Sequence, residues 1–106
     1  MPGFIRRFFL SDFGPPPPPD FAQLPSFPNQ RIVETIYSDS KKERVFITVD
    51  ETGDHRIYLQ WWDTSDWKVG YGARWSHADS TGSHTDMLPR ARELAYEALG
   101  SPRYDT

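Results

Sequence analysis

The stretch His55–Ser76, HRIYLQWWDTSDWKVGYGARWS, limits the folds open to this chain more than any other. It holds all four tryptophans and two of the five tyrosines. Apolar and polar side chains alternate along two runs, and the polar tetrad Asp63-Thr64-Ser65-Asp66 separates them. Alternation at a period of two gives a strand one apolar and one mixed face. Two such runs around a tight loop predict the central hairpin of a small sheet. A hairpin alone is not stable in water, so the remaining chain must pair with it and cover it.

The pairing partners lie just upstream. Arg31–Tyr37 is rich in β-branched residues and predicts a first strand. Ser38–Lys42 is a polar turn, and Arg44–Asp50 predicts a second strand. Glu51-Thr52-Gly53-Asp54 is a turn with glycine where a positive φ is expected. Arg56–Trp62 and Trp67–Trp75 complete the set. Four consecutive strands with short connections predict an antiparallel meander. His77–Asp86 reads as a polar loop. Leu88–Leu99 reads as a helix, because Ala91, Leu94, Ala95, Ala98 and Leu99 recur on one face. Thr85 or Asp86 would cap it, Pro89 is tolerated in its first turn, and Gly100 with Pro102 stops it.

Alternation also sorts the two faces. Ile32, Ile36, Val45, Ile47, Val49, Ile57, Leu59 and Trp61, with Val69, Tyr71 and Ala73, form an aliphatic face that suits the helix. Tyr37, Phe46, Thr48, Arg56, Tyr58, Gln60, Trp62, Lys68, Gly70, Gly72 and Arg74 form an aromatic and basic face. An uncovered patch of that kind calls for contact. Gly70 and Gly72 on one side of a strand would leave a groove.

The first thirty residues are of another character. Phe4–Leu10 predicts a short strand or a turn of helix. Gly14 and Pro15–Pro19 follow, and five prolines favour an extended polyproline II segment that can continue neither a helix nor a central strand. Six of the seven phenylalanines lie before residue 30. Such residues are costly to leave in water, which favours an arm laid over the aromatic face. A second copy or another partner could cover that face instead. The expected organisation is α+β: a proline/phenylalanine-rich arm at 1–30, a four-stranded antiparallel meander with one C-terminal helix packed on one face at 31–100, and a frayed tail at 101–106.

The chain has 106 residues, a formal charge of −3 and no cysteine. That size fits one domain. Thiolate metal sites and cysteine nucleophiles are excluded. No run has the length of a membrane-spanning helix, and no secretory leader pattern is present, so the expected location is cytoplasmic. His77, Asp79, His84 and Asp86 cluster, but without a metal-binding spacing, so no metal and no cofactor are assigned. No nucleophile elbow, phosphate-cradling loop or dinucleotide fingerprint is present, and the chain reads as a non-enzyme.

Two functions remain. The favoured one is a small acidic protein-binding module, of the inhibitor, immunity or anti-defence kind, that blocks a basic target such as a nuclease. Its contact patch would be Tyr58, Trp62, Asp63, Asp66, Trp67 and Trp75, since Trp and Tyr dominate binding hot spots. Self-association is compatible with it. The alternative is single-stranded nucleic acid stacked on Phe46, Tyr58 and Trp62, with Arg56, Lys68 and Arg74 on its phosphates. The acidic balance counts against that alternative.

Overall fold

A computed structural model describes residues 14–70 and 72–100. The readings for 4–10, for Tyr71 and for the 101–106 tail lie outside the described residues. Among those described there are five strands, one α-helix and one 3-10 turn: β1 (Gln30–Tyr37), β2 (Glu43–Asp50), β3 (His55–Asp63), the 3-10 turn Trp67–Val69, β4 (Arg74–Trp75), β5 (Asp79–Thr85) and α1 (Leu88–Gly100). All pairings are antiparallel.

β1, β2 and β3 stand in chain order. The far edge of β3 is shared. β4 pairs with Trp62 and Asp63, and β5 pairs along His55–Leu59. Ser76 bridges the gap: its N–H donates to the Trp61 carbonyl at 2.8 Å and its hydroxyl accepts from the Trp61 N–H at 3.0 Å. Residues 74–85 therefore act as one interrupted fourth strand. The fold is a four-stranded antiparallel meander with a C-terminal helix.

The fourth strand is made of other residues than the alternation suggested. Trp67–Trp75 is not a strand along its length, because Gly70 and Gly72 take φ values of 94° and 79°. Positive φ ends an extended backbone. Trp67–Val69 coils into the 3-10 turn and Val69 is 68% exposed instead of belonging to the core. No atom lies within 4 Å of a Cβ built on either glycine, so these residues serve the turn geometry and form no close-approach groove. The expected loop 77–86 holds β5. It has no apolar residue to announce it, because it is an edge strand held by backbone pairing. Where its register slips beside Ile57, the Thr81 hydroxyl donates to the Ile57 carbonyl at 3.1 Å.

The core lies between sheet and helix. Val45, Ile47, Ile57, Ala91 and Ala95 have no exposed surface, and Ile36 joins them. Leu59, Leu88, Leu94, Ala98 and Leu99 pack at the margin. Burying each Ile, Leu or Val contributes about 1.5–3 kcal/mol. Ala91 and Ala95 have short side chains, which lets the helix backbone come close to β2 and β3. Arg92 Nε reaches Glu34 Oε1 at 2.9 Å and ties the helix to β1. Thr85 is no direct cap. Its hydroxyl accepts from the Met87 N–H at 3.2 Å, one residue before the helix begins. Ile32 departs from the expected face. A register shift between Ile32 and Glu34 sets Ile32 opposite Thr48, away from the helix side. No helix among the described residues is long and apolar enough to cross a membrane.

Candidate functional site

The second face of the sheet carries the candidate site. Cross-strand register lines up Tyr37, Arg44 and Gln60 in one row, and Thr35, Phe46, Tyr58 and Ser80 in the next. Trp62 and Trp75 pair at one end, with ring centroids 5.3 Å apart and planes at 72°.

Residues 14–29 run over these rows. The segment bends at Asp20–Gln23, where the Gln23 N–H donates to the Asp20 carbonyl at 3.3 Å and the Ala22 N–H to Asp20 Oδ1 at 3.1 Å. A second bend joins it to β1. The Gln30 N–H donates to the Phe27 carbonyl at 3.2 Å, and Asn29 takes a φ of 61°. Asparagine tolerates that left-handed conformation better than most residues.

Three side-chain donors hold the arm. Trp62 Nε1 donates to the Pro17 carbonyl at 3.1 Å. Trp75 Nε1 donates to the Asp20 carbonyl at 2.8 Å. Arg44 Nη2 donates to the Gln23 carbonyl. Two rings complete the attachment. Phe27 stacks on Tyr58 at 4.3 Å and 11°, and Phe21 meets Tyr37 edge-on at 5.2 Å. At the start of β1, the Gln30 side-chain oxygen accepts from Thr48 Oγ1 at 2.6 Å and from the Tyr58 hydroxyl at 3.2 Å.

Arg44 is the centre of the site and has no exposed surface. Its Nε donates to Gln60 Oε1 at 2.7 Å, and Gln60 in turn donates to the Ser76 carbonyl at 2.9 Å. Its guanidinium carbon lies 3.8 Å from the Trp75 ring centroid and 5.0 Å from that of Phe46. A weakly hydrated planar cation suits such a stack. Burial lowers its pKa from the ordinary guanidinium value, while neighbouring Tyr37 and Asp20 oppose the shift. Arginine nevertheless stays charged. Its Nη1 is buried and makes no hydrogen bond among the described residues.

The residues named from sequence separate into three groups. Tyr58 and Trp75 are buried beneath the arm, and Trp62 is half-buried against Pro17. Asp63 and Asp66 shape their own loop. Asp63 Oδ1 accepts from the Ser65 N–H at 2.9 Å, and Asp66 pairs with Arg74 at 3.3 Å. The Ser65 hydroxyl, then its N–H, hold the Asp63 carboxyl below the usual range. Trp67 opens the 3-10 turn, half-buried. The residues expected to take nucleic acid do not form one open platform. Phe46 is fully buried, Arg56 faces Asp54 at 3.5 Å and Asp50 at 4.0 Å, and Lys68 lies exposed on the turn.

Of the polar loop residues, His84 sits on β5 with its Nδ1 3.2 Å from Asp54 Oδ1. Among the described residues no three His, Asp or Glu side chains are grouped to hold a metal.

Arg44 was the residue that sequence reasoning passed over. It alternates with Phe46 and Thr48 and so belongs on their face. Comparison with protein-family models, curated proteins and solved structures returns no match.

Proposed function

We propose that this protein works by binding another protein, as a small acidic blocking module of the inhibitor or immunity kind. The contact surface is the end of the sheet that carries Pro15–Pro18, Trp62 and residues 63–70. One observation carries the reading: Pro15–Pro18 are exposed while the Trp62 indole fixes the Pro17 carbonyl from behind. A proline-rich segment already held in one conformation loses little entropy when a partner docks on it. A groove beside it is lined by Phe21, Lys41, Lys42, Trp62 and Thr64 together with the prolines. The exposed Val69 adds apolar surface to the loop that follows Trp62. The net charge of −3 suits a basic target through long-range steering.

The test is site-specific photo-crosslinking in cells of the source organism. A photoreactive residue replaces Pro16, Val69 or, as a control on the outer side of the helix, Tyr96. One protein should be captured from positions 16 and 69 and not from 96. Capture from 96 alone would overturn the reading. So would salt-sensitive binding of a single-stranded oligonucleotide that Arg56→Glu abolishes.

A further inference from the structure

The way the arm is held points to a recognition surface distinct from the outward contact proposed above. All three donors that grip it are side chains of the sheet: Trp62, Trp75 and Arg44. All three acceptors are backbone carbonyls of the arm, at residues 17, 20 and 23. That spacing is three residues throughout. A polyproline II helix has three residues per turn, so carbonyls three apart return to one side. The step from 17 to 20 spans Pro18 and Pro19, and the step from 20 to 23 is closed by the Asp20–Gln23 bend. Proline has no N–H to offer, so a surface built to hold such a backbone must supply every donor itself. Here tryptophan and arginine side chains do so. This is the mode in which aromatic-lined grooves take proline-rich peptides.

Arm side chains contribute little between the two ring contacts. Leu24, which lies between them, is 55% exposed. Away from those rings the grip is therefore on backbone carbonyls. The arm itself gives one Arg44 nitrogen no acceptor, although Tyr37 bonds the guanidinium from the sheet and the Asp20 charge acts on it from the arm. Arg44 Nη1 is buried in the middle of the site and unbonded among the described residues. A buried donor on a charged group is costly to leave unsatisfied.

We propose that this face is a binding site for an extended proline-rich segment of a partner protein, one that carries an acidic side chain near the Arg44 position. Residues 15–23 of the chain itself occupy the site as an internal stand-in. A second copy of this chain is the less suited occupant, because its arm would leave Nη1 unsatisfied in the same way.

The experiment uses the full-length chain carrying Phe27→Ala, which removes the ring stacked on Tyr58 and loosens the arm. A second variant, Phe21→Ala, loosens it elsewhere and guards against misfolding of the first. Circular dichroism checks that both stay folded. Fluorescein-labelled peptides spanning residues 14–29 serve as probes, in the native sequence and with glutamate replacing Ala22 or Leu24. Fluorescence anisotropy should show saturable binding to both loosened variants, at least tenfold tighter than to the unaltered chain. One glutamate peptide should bind at least threefold tighter than the native peptide. Trp62→Phe with Trp75→Phe, which keeps an aromatic ring at each position and removes the N–H donors, should weaken binding at least tenfold. No saturable binding to either folded variant would overturn the proposal. Tightest binding by the native peptide, with concentration-dependent dimers of the loosened chain, would replace the partner with a second copy. Neither result bears on crosslinking from Pro16 and Val69, so the two readings fail separately.

Discussion

At the scale of single residues, Arg44 shows how a charge can be kept inside a domain of this size. It is compensated by bonds from two of its three nitrogens and by two aromatic faces. Arg44→Ala removes charge-assisted hydrogen bonds and a desolvated cation–π contact, and should cost about 3 kcal/mol. Arg44→Met keeps the volume and removes the unsatisfied donor, so it should be far milder, as apolar replacements of buried charges often are. Urea denaturation of the two variants checks the contrast. Equal losses would mean that volume alone matters at this site. Asp50 carries a different dependence. Its carboxylate accepts from the Thr52 hydroxyl at 2.6 Å and from the N–H groups of Thr52 and Asp54, and these bonds, led by Thr52, hold its pKa below the ordinary value. The ionised form is thus the one the native turn prefers. The stability it contributes is complete above about pH 4 and is lost as acid protonates it through the lowered value. Asp50→Ala should therefore destabilise the protein more at pH 7 than at pH 2, as read from denaturation midpoints at the two values.

At the scale of elements, the first three strands and the helix were legible in the sequence because each has one buried face. Ile36, Val45, Ile47 and Ile57 repeat at a period of two or pair across strands, and Ala91 and Ala95 at a helical spacing. The same physics explains the misreading of the fourth strand. β5 buries little, so its sequence DSTGSHT carries no period, and backbone pairing to β3 alone makes it a strand. Trp67–Trp75 has the period without the conformation, since Gly70 and Gly72 bend the chain away. Ile32 shows a third limit, because a bulge changes the face of every residue beyond it and has no composition of its own. Long-range side-chain bonds, such as those from Trp75 to Asp20, join residues too far apart in sequence for any period to connect them. The close approach of the helix yields a prediction at this scale. Ala95→Leu inserts three carbons where no space is left and should cost about 1–3 kcal/mol. Ala98→Leu, at the half-buried margin, should cost less. Thermal melts rank the pair, and the reverse order would mean that the helix does not sit with Ala95 inward.

At the scale of the whole molecule, the sheet is sealed twice. The helix covers the aliphatic face, and residues 14–29 cover the aromatic one. Of 106 residues, only a small core lies under the helix, so the second cover matters to a domain that would otherwise be marginal. Removing residues 1–28 would open Phe46, Tyr58 and Trp75 to water together with Arg44. The shortened chain should melt at least 10 °C lower, since 1 kcal/mol shifts a domain of this size by about 4–8 °C, and should bind a dye that reports exposed apolar surface. The arm's attachment is the claim on which both the proposed contact surface and the proposed peptide site depend. Isotope-edited nuclear Overhauser spectra of the full-length protein test it most directly. Cross-peaks from the Trp62 indole N–H to protons of Pro17 and Pro18, and from the Trp75 indole N–H to protons of Asp20 and Phe21, are predicted. Indole N–H signals without any contact to residues 14–29, in a protein whose β2 and β3 amides are protected, would contradict it.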